Sequence, residues 1–306
     1  MAKLKLLKEK VLVAGANGLL GQKLLQVFSD GFEIHGFGRA SRPVVAYDNY
    51  HYTMGDITDR NHVKQLVHTL QPAFILNAAA YTNVDGCETD KETCWKVNAA
   101  GVEYLAQAAA AVGAFLVHVS TDYVFDGEEG NYDETSKPAP QSYYGRAKLA
   151  GENALRASRA EYAIARTMIL YGAGKNINPN FATWLVDKLS KNEPVRIVTD
   201  QYGHPTLADD LAQTIRKIVE LKKTDLFHVV GPDYLSRFDF ALKLAELFNF
   251  NRDLIAPIKT TDLNQKAPRP LNSRFKLDKL RDVLGVEMHG VEQGLKIFKK
   301  QLNELS

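Results

Sequence analysis

The chain has 306 residues, 45% of them hydrophobic and 24% charged, which suffices for a full apolar core in one large domain or two modest ones. A net charge of +2, with lysines and arginines spread along the sequence, gives no basic face for nucleic acid or an anionic membrane. No apolar run approaches the roughly 18 residues that span a bilayer, and the basic start at residues 1–10 has no signal-peptide core behind it. A cytoplasmic location without nucleic-acid or membrane partners is therefore expected.

The first half alternates short apolar runs (11–15, 33–38, 73–77, 115–120) with helical patterns (19–28, 63–70, 94–111). This is the signature of βαβ units and predicts an α/β, Rossmann-type doubly wound parallel sheet. A helix at 148–157 and a buried strand at 162–170 extend it to at least five strands. Beyond Tyr171 the texture turns to Gly, Asn and Pro, with helices expected at 181–189, 208–221 and 238–248 and a strand at 226–230. The expected division is a dinucleotide-binding domain over 1–170 and a smaller, mainly substrate-binding region over 171–306, of which about 205–230 returns to the first domain. A ligand cleft is expected where that region meets the carboxyl ends of the strands.

Gly15-Ala16-Asn17-Gly18-Leu19-Leu20-Gly21 follows directly from the first strand and opens a helix. In that context the glycines read as a dinucleotide fingerprint: Gly15 for a tight turn, Gly18 for close approach of a pyrophosphate, Gly21 for packing of helix on strand. The helix start, through Leu19 and Leu20, offers free N–H groups to phosphates. About 20 residues further on, where an NAD site carries an acid, the chain reads Gly38-Arg39-Ala40-Ser41-Arg42. Arg39, with Ser41 and Arg42, suits a 2′-phosphate, so NADP(H) is preferred over NAD(H), which stays an option.

Tyr144 and Lys148 stand four apart, on one face of a helix, where an ammonium lowers the phenol pKa and readies it for proton exchange with a carbonyl or alcohol. Thr121, at the end of the apolar run 115–120, is placed to donate a hydrogen bond to the reacting oxygen. Asn77-Ala78-Ala79-Ala80 ends another strand with small residues that let a backbone pass close to a cofactor, and Asn98 lies in a helix where an unpartnered amide is a poor choice. Cys87 and Cys94, seven apart without a second Cys/His pair at zinc spacing, read as structural, and no metal is expected.

Together these segments resemble the extended short-chain dehydrogenase/reductases, and within them the dTDP-4-dehydrorhamnose reductases. The resemblance also rests on Tyr81-Thr82-Asn83-Val84-Asp85, Ser120-Thr121-Asp122-Tyr123-Val124-Phe125, residues 144–152, Asp200-Gln201-Tyr202-Gly203-His204-Pro205-Thr206 and Arg269-Pro270-Leu271-Asn272-Ser273. It implies hydride transfer to C4 of a nucleotide-linked 4-keto-6-deoxy sugar, as in dTDP-L-rhamnose biosynthesis, with Tyr144 as proton donor, Thr121 polarising the oxygen and Lys148 tuning Tyr144. It also implies Asp56 and Ile57 beside the adenine, Thr82, Val84 and Asp85 near the sugar, and the Arg269 segment closing over the site. A homodimer is compatible with it. After Arg166-Thr167 those reductases carry an aromatic residue, whereas this chain has Met168-Ile169, which leaves the particular sugar open. Tyr123, where sugar dehydratases carry a glutamate, removes the acid needed for elimination. A nucleotide-sugar epimerase and a non-catalytic NADP-binding regulator like the methionine adenosyltransferase β subunit remain as alternatives.

Overall fold

The computed structural model describes residues 8–305, so most of the basic start at 1–10 lies outside the described residues. Seven parallel strands form the central sheet: β1 (Lys10–Ala14), β2 (Glu33–Gly38), β3 (Tyr50–Met54), β4 (Phe74–Asn77), β5 (Phe115–Thr121), β6 (Tyr162–Thr167) and β7 (Leu226–His228). Their order is β7-β6-β5-β4-β1-β2-β3. The chain runs outward from β1 to β3 and then returns to the other side of β1, which makes the β1/β4 boundary the topological switch point where such sheets bind ligands.

Strand periodicity sends alternate residues to opposite faces. Val11 and Val13 of β1 pack with Leu24, Leu25 and Phe28 of helix Leu19–Phe28 and with Leu211, Ile215 and Ile218 of helix Ala208–Leu221. Leu12 and Ala14 face the other way, onto Val63 and Val67 of helix Arg60–Leu70, Val102, Leu105 and Ala109 of helix Gly101–Val112, and Leu155 of helix Tyr143–Ala157. Helix Ala208–Leu221 and β7 thus lie with the sheet although they come from the second half of the sequence. A separate core joins Leu185, Phe240, Leu244 and Phe298 from helices Phe181–Ser190, Arg237–Phe248 and Val291–Leu305, beside a parallel pair formed by Val195–Val198 and Ile255–Ile258.

Three elements depart from the expected pattern. The strand expected at 162–170 ends at Thr167, and Leu170–Tyr171 pairs instead with Thr206–Leu207 outside the central sheet. The edge strand β3, Tyr-His-Tyr-Thr-Met, has no buried residue, so no apolar run marks it in the sequence. The single helix expected at 94–111 is broken: a π-helical turn at Lys96–Ala100 separates Lys91–Trp95 from Gly101–Val112. Such turns widen a helix locally and recur at functional sites. Among the described residues no helix is long and apolar enough to cross a membrane.

Candidate active site

At the end of β1 the backbone turns at Gly15, whose φ of +81° suits glycine. A Cβ there would come within 2.7 Å of the Ala79 backbone nitrogen, so the glycine is also what lets the turn pass against the segment after β4. Gly18 is the N-cap of helix Leu19–Phe28, with no side chain capping the first turn, and the N–H groups there are left for a ligand. An open groove of about 380 Å³ is lined by Gly15, Asn17, Gly18, Arg39, Asp56, Ile57 and Ala78-Ala79-Ala80. Leu20 is buried in the core and Leu19 reaches toward Gly172, and neither side chain lines the groove.

The polar residues of the groove divide between holding it and facing it. Asn17 spends its amide on the loop beyond Arg39: Nδ2 donates to the Arg42 carbonyl at 3.1 Å and Oδ1 accepts from the Val44 N–H at 3.2 Å. Tyr52, from the unanticipated strand β3, brings its hydroxyl to 3.0 Å from the Gly38 carbonyl and 2.9 Å from that of Ala40, clamping the turn that carries Arg39. Arg39 itself is exposed at the rim and has no ion-pair partner among the described residues. Asp56 accepts from the Thr58 N–H at 2.9 Å, which leaves carboxylate capacity for a ligand. A groove of bare backbone at a helix start with an unpaired guanidinium at its rim fits a dinucleotide carrying an extra phosphate.

Helix Tyr143–Ala157 carries the predicted Tyr144/Lys148 pair. Ser142 caps it by accepting from the Gly145 N–H at 3.1 Å. A Cβ on Gly145 would meet the Tyr123 carbonyl at 2.1 Å, so the glycine lets the helix seat against the 122–124 turn that follows β5. This brings the Tyr144 phenol beside Thr121. Thr121 Oγ1 also donates to Asp122 at 3.0 Å and accepts from the Tyr123 N–H at 3.2 Å.

The electrostatics correct one expectation. Burial, and then the negative charges that Asp122 and Tyr123 can carry, push the Tyr144 phenol up rather than down, so it is held protonated. Among the described residues no hydrogen bond joins Lys148 to it. Its Nζ donates to the Val119 carbonyl at 2.6 Å and lies 3.3 Å from His118 Nε2, and burial lowers its pKa to about 8.

Asn98, completely buried in the π-helical turn, accepts from the Tyr81 N–H at 3.0 Å and donates to the Tyr81 carbonyl at 3.1 Å. It therefore pins the end of the Ala78-Ala79-Ala80 segment instead of lining the groove. Asn77 is likewise buried, its Oδ1 accepting from the Ala79 N–H at 3.1 Å. Cys87 and Cys94 are free, buried thiols that pack with Tyr81 and Tyr144.

In the segment after β4, Val84 is partly buried in the same cluster as Tyr144, and Thr82 is exposed. Asp85 and Arg269, 184 residues apart in the chain, form a two-pronged ion pair of 3.0 and 2.9 Å, and Asp85 also accepts from the Ala267 N–H at 2.9 Å. Burial raises the Asp85 carboxyl, but these bonds outweigh it and the net pKa is lowered. Arg269 joins Tyr123, Phe181, Trp184, Arg196 and Arg237 around a second cleft of about 310 Å³. Phe181 stacks on Trp184 with centroids 6.1 Å apart, and the Arg237 guanidinium lies 5.1 Å from the Phe181 ring centre. Phe181 and Trp184 stand three apart on helix Phe181–Ser190, whereas Arg196, Arg237, Tyr52 and His118 come from separate elements and carry no spacing signal. Met168 and Ile169 pack against Gly203, and the Met168 sulfur accepts from the His204 N–H at 3.2 Å.

Comparison with known proteins agrees with this architecture. A family model described as the RmlD substrate binding domain matches residues 9–304. The chain is 34% identical to a dTDP-4-dehydrorhamnose reductase of Aggregatibacter actinomycetemcomitans, over 94% of this chain and 97% of that one. It is 32% identical to methionine adenosyltransferase 2 subunit beta of Pongo abelii, over 90% of this chain and 83% of that one. The crystal structure of dTDP-4-dehydrorhamnose reductase from Bacillus anthracis in complex with NADP superposes with a TM-score of 0.86 at 33% identity, covering 96% of this chain and all of that one. With the glycine loop, the Tyr144 helix and the two clefts lying within the matched span, the chain belongs to the RmlD substrate-binding-domain family.

Proposed function

We propose that this chain is a dTDP-4-dehydrorhamnose reductase-like oxidoreductase that reduces the C4 keto group of a nucleotide-linked 4-keto-6-deoxy sugar, using NADP(H) by preference and NAD(H) as a second option. The observation that carries this reading is the position of Tyr144. It packs in one cluster with Tyr81, which lines the glycine-loop groove, and Tyr123, which lines the arginine-bearing cleft. A protonated phenol between a dinucleotide groove and a cleft rich in arginine and aromatic rings is a proton donor between a nicotinamide and a nucleotide sugar. The reductase relatives, one of them in complex with NADP, support the same assignment.

NADPH, when bound, supplies the hydride. The Gly15–Gly18 loop and the helix start would hold its phosphates, Arg39 would take the 2′-phosphate, and Asp56 and Ile57 would flank the adenosine end. Thr121 turns its hydroxyl from Asp122 to the keto oxygen, and Tyr144 protonates that oxygen. Lys148 holds a positive charge near the resulting phenolate. Arg196 and Arg237 face the diphosphate, and the Phe181–Trp184 stack faces the base. The Asp85–Arg269 pair ties the segment after β4 to the loop over the sugar.

The test is NADPH oxidation with dTDP-4-dehydrorhamnose, with GDP- and UDP-linked 4-keto sugars alongside. Turnover with the dTDP sugar is expected. NADP(H) binding without oxidation by any of the three would instead favour a regulator of the kind named by the methionine adenosyltransferase relatives.

A further inference from the structure

Behind Lys148 lies a buried polar chain that the mechanism above does not use. Asn77 and His118 are register partners on β4 and β5. Asn77, His118 and Lys148 are 1%, 0% and 2% exposed. Asn77 Nδ2 lies 3.1 Å from His118 Nδ1, and His118 Nε2 lies 3.3 Å from Lys148 Nζ.

The direction of these bonds follows from what each group can donate. Asn77 Oδ1 accepts the Ala79 N–H, so turning the amide over would set two donors face to face. Nδ2 therefore donates to His118 Nδ1. Burial, and then the Lys148 charge, hold the His118 pKa well below its usual range, so the ring is neutral and carries one proton. With Nδ1 occupied as an acceptor, that proton is on Nε2 and points at Lys148. An ammonium has no lone pair to receive it, whereas a neutral amine accepts it while still donating to the Val119 carbonyl.

We propose that His118, held in its Nε2–H tautomer by Asn77, is a positioning residue that presents a donor to the Lys148 amine and so opposes proton uptake by Lys148 during carbonyl reduction. The inference rests on the reductase reading for its consequence in turnover, not for the tautomer itself. The other titratable groups acting on Lys148 are Glu152, one turn along its own helix, and Cys94 on helix Lys91–Trp95. Glu152 is already engaged by Ser120, Arg156 and Arg166, so among the described residues the groups hydrogen-bonded to Nζ are the His118 ring and the Val119 carbonyl. Because reduction needs the charged lysine beside the nascent phenolate, raising pH through the Lys148 pKa removes activity. The His118 donor places that loss at lower pH than burial alone would.

The direct test is nitrogen NMR of the full chain labelled with 15N-histidine, with the His118 signals identified by their absence in His118→Gln. Protonated Nε2 and unprotonated Nδ1 are expected; a proton on Nδ1 overturns the proposal whether or not the protein turns over a keto sugar. The second readout is the pH profile of kcat/KM for keto-sugar reduction in His118→Phe, checked by NADPH binding to be folded. Its alkaline limb should move up by roughly one pH unit, because the donor opposing the ammonium is gone. An unmoved limb in that folded variant means that His118 only packs. Asn77→Asp, whose carboxylate would draw the ring proton to Nδ1, should show the Nδ1–H tautomer and the same direction of shift; a retained Nε2–H with no shift counts equally against the proposal.

Discussion

Replacing Glu152 by glutamine tests what fixes the reactive helix. Tyr144, Lys148 and Glu152 recur every fourth residue on one buried face of helix Tyr143–Ala157. Glu152, fully buried, binds Arg166 of β6 through two bonds of 2.8 and 2.7 Å and accepts from Ser120 of β5 at 2.6 Å. Arg166 is only 1% exposed and its Nη1 has no partner. Glutamine keeps the shape but removes the charge, leaving a guanidinium buried and uncompensated, which costs about 3–5 kcal/mol. An unfolding entropy of about 2.1 cal/mol/K per residue over 306 residues gives ~0.64 kcal/mol/K, so Tm should fall by roughly 5–8 °C. Burial raises the Glu152 pKa, but Arg166 and Ser120 outweigh it and the net folded value is lowered. Its contribution is therefore complete above the unfolded carboxyl pKa of about 4.3 and is lost as pH falls through the folded value. Thermal melts of both proteins should differ most near neutrality and converge on acidification. A shift below about 2 °C at neutral pH, or a gap that does not narrow in acid, would refute the assignment of this ion pair as the anchor.

Other changes separate the cofactor from the sugar. Arg39→Ala should weaken NADPH about 10- to 100-fold, the loss of one charge-assisted contact, and leave NADH within about threefold in parallel titrations. Equal losses would mean that Arg39 does not meet a 2′-phosphate. Tyr52→Phe, which frees the turn carrying Arg39, should raise the NADPH Kd severalfold with little change in Tm, whereas an unchanged Kd removes Tyr52 from the site. Asp85→Asn should raise KM for the keto sugar with NADPH affinity intact, measured by steady-state kinetics and cofactor titration; a loss of NADPH affinity instead would place Asp85 with the cofactor.

The parts of the fold written in local pattern were legible in the sequence. Apolar runs gave β1, β2, β4, β5 and β6, and the glycine loop directly after β1 pointed to the groove it lines, because these depend on neighbours in the chain. Strand β3 escaped because an edge strand with no buried residue needs no apolar run, and with it Tyr52 was missed. The π-helical turn escaped because it is fixed by Asn98 bridging to Tyr81, 17 residues away. Tyr144 and Lys148 were singled out by spacing, which suggested that the ammonium lowers the phenol pKa, whereas burial governs Tyr144 and Lys148 turns to Val119 and His118. Asp85 and Arg269 were each assigned to the sugar from resemblance, and the structure adds that they hold one another. Phe181 and Trp184 share one helix at i,i+3, but Arg196 and Arg237 join them from other elements through the second core, and no short-range pattern announces that cleft.

The central claim is that Tyr144 is the proton donor of a nucleotide-sugar reductase, and one paired assay tests it most directly. NADPH oxidation with dTDP-4-dehydrorhamnose is measured for the unaltered chain and for Tyr144→Phe, with NADPH binding determined for both. The account predicts turnover by the unaltered chain and a loss of about 10²- to 10⁴-fold in the variant, with cofactor affinity preserved. Keto-sugar reduction at an undiminished rate by Tyr144→Phe, or no oxidation by the unaltered chain with any 4-keto nucleotide sugar, would contradict it.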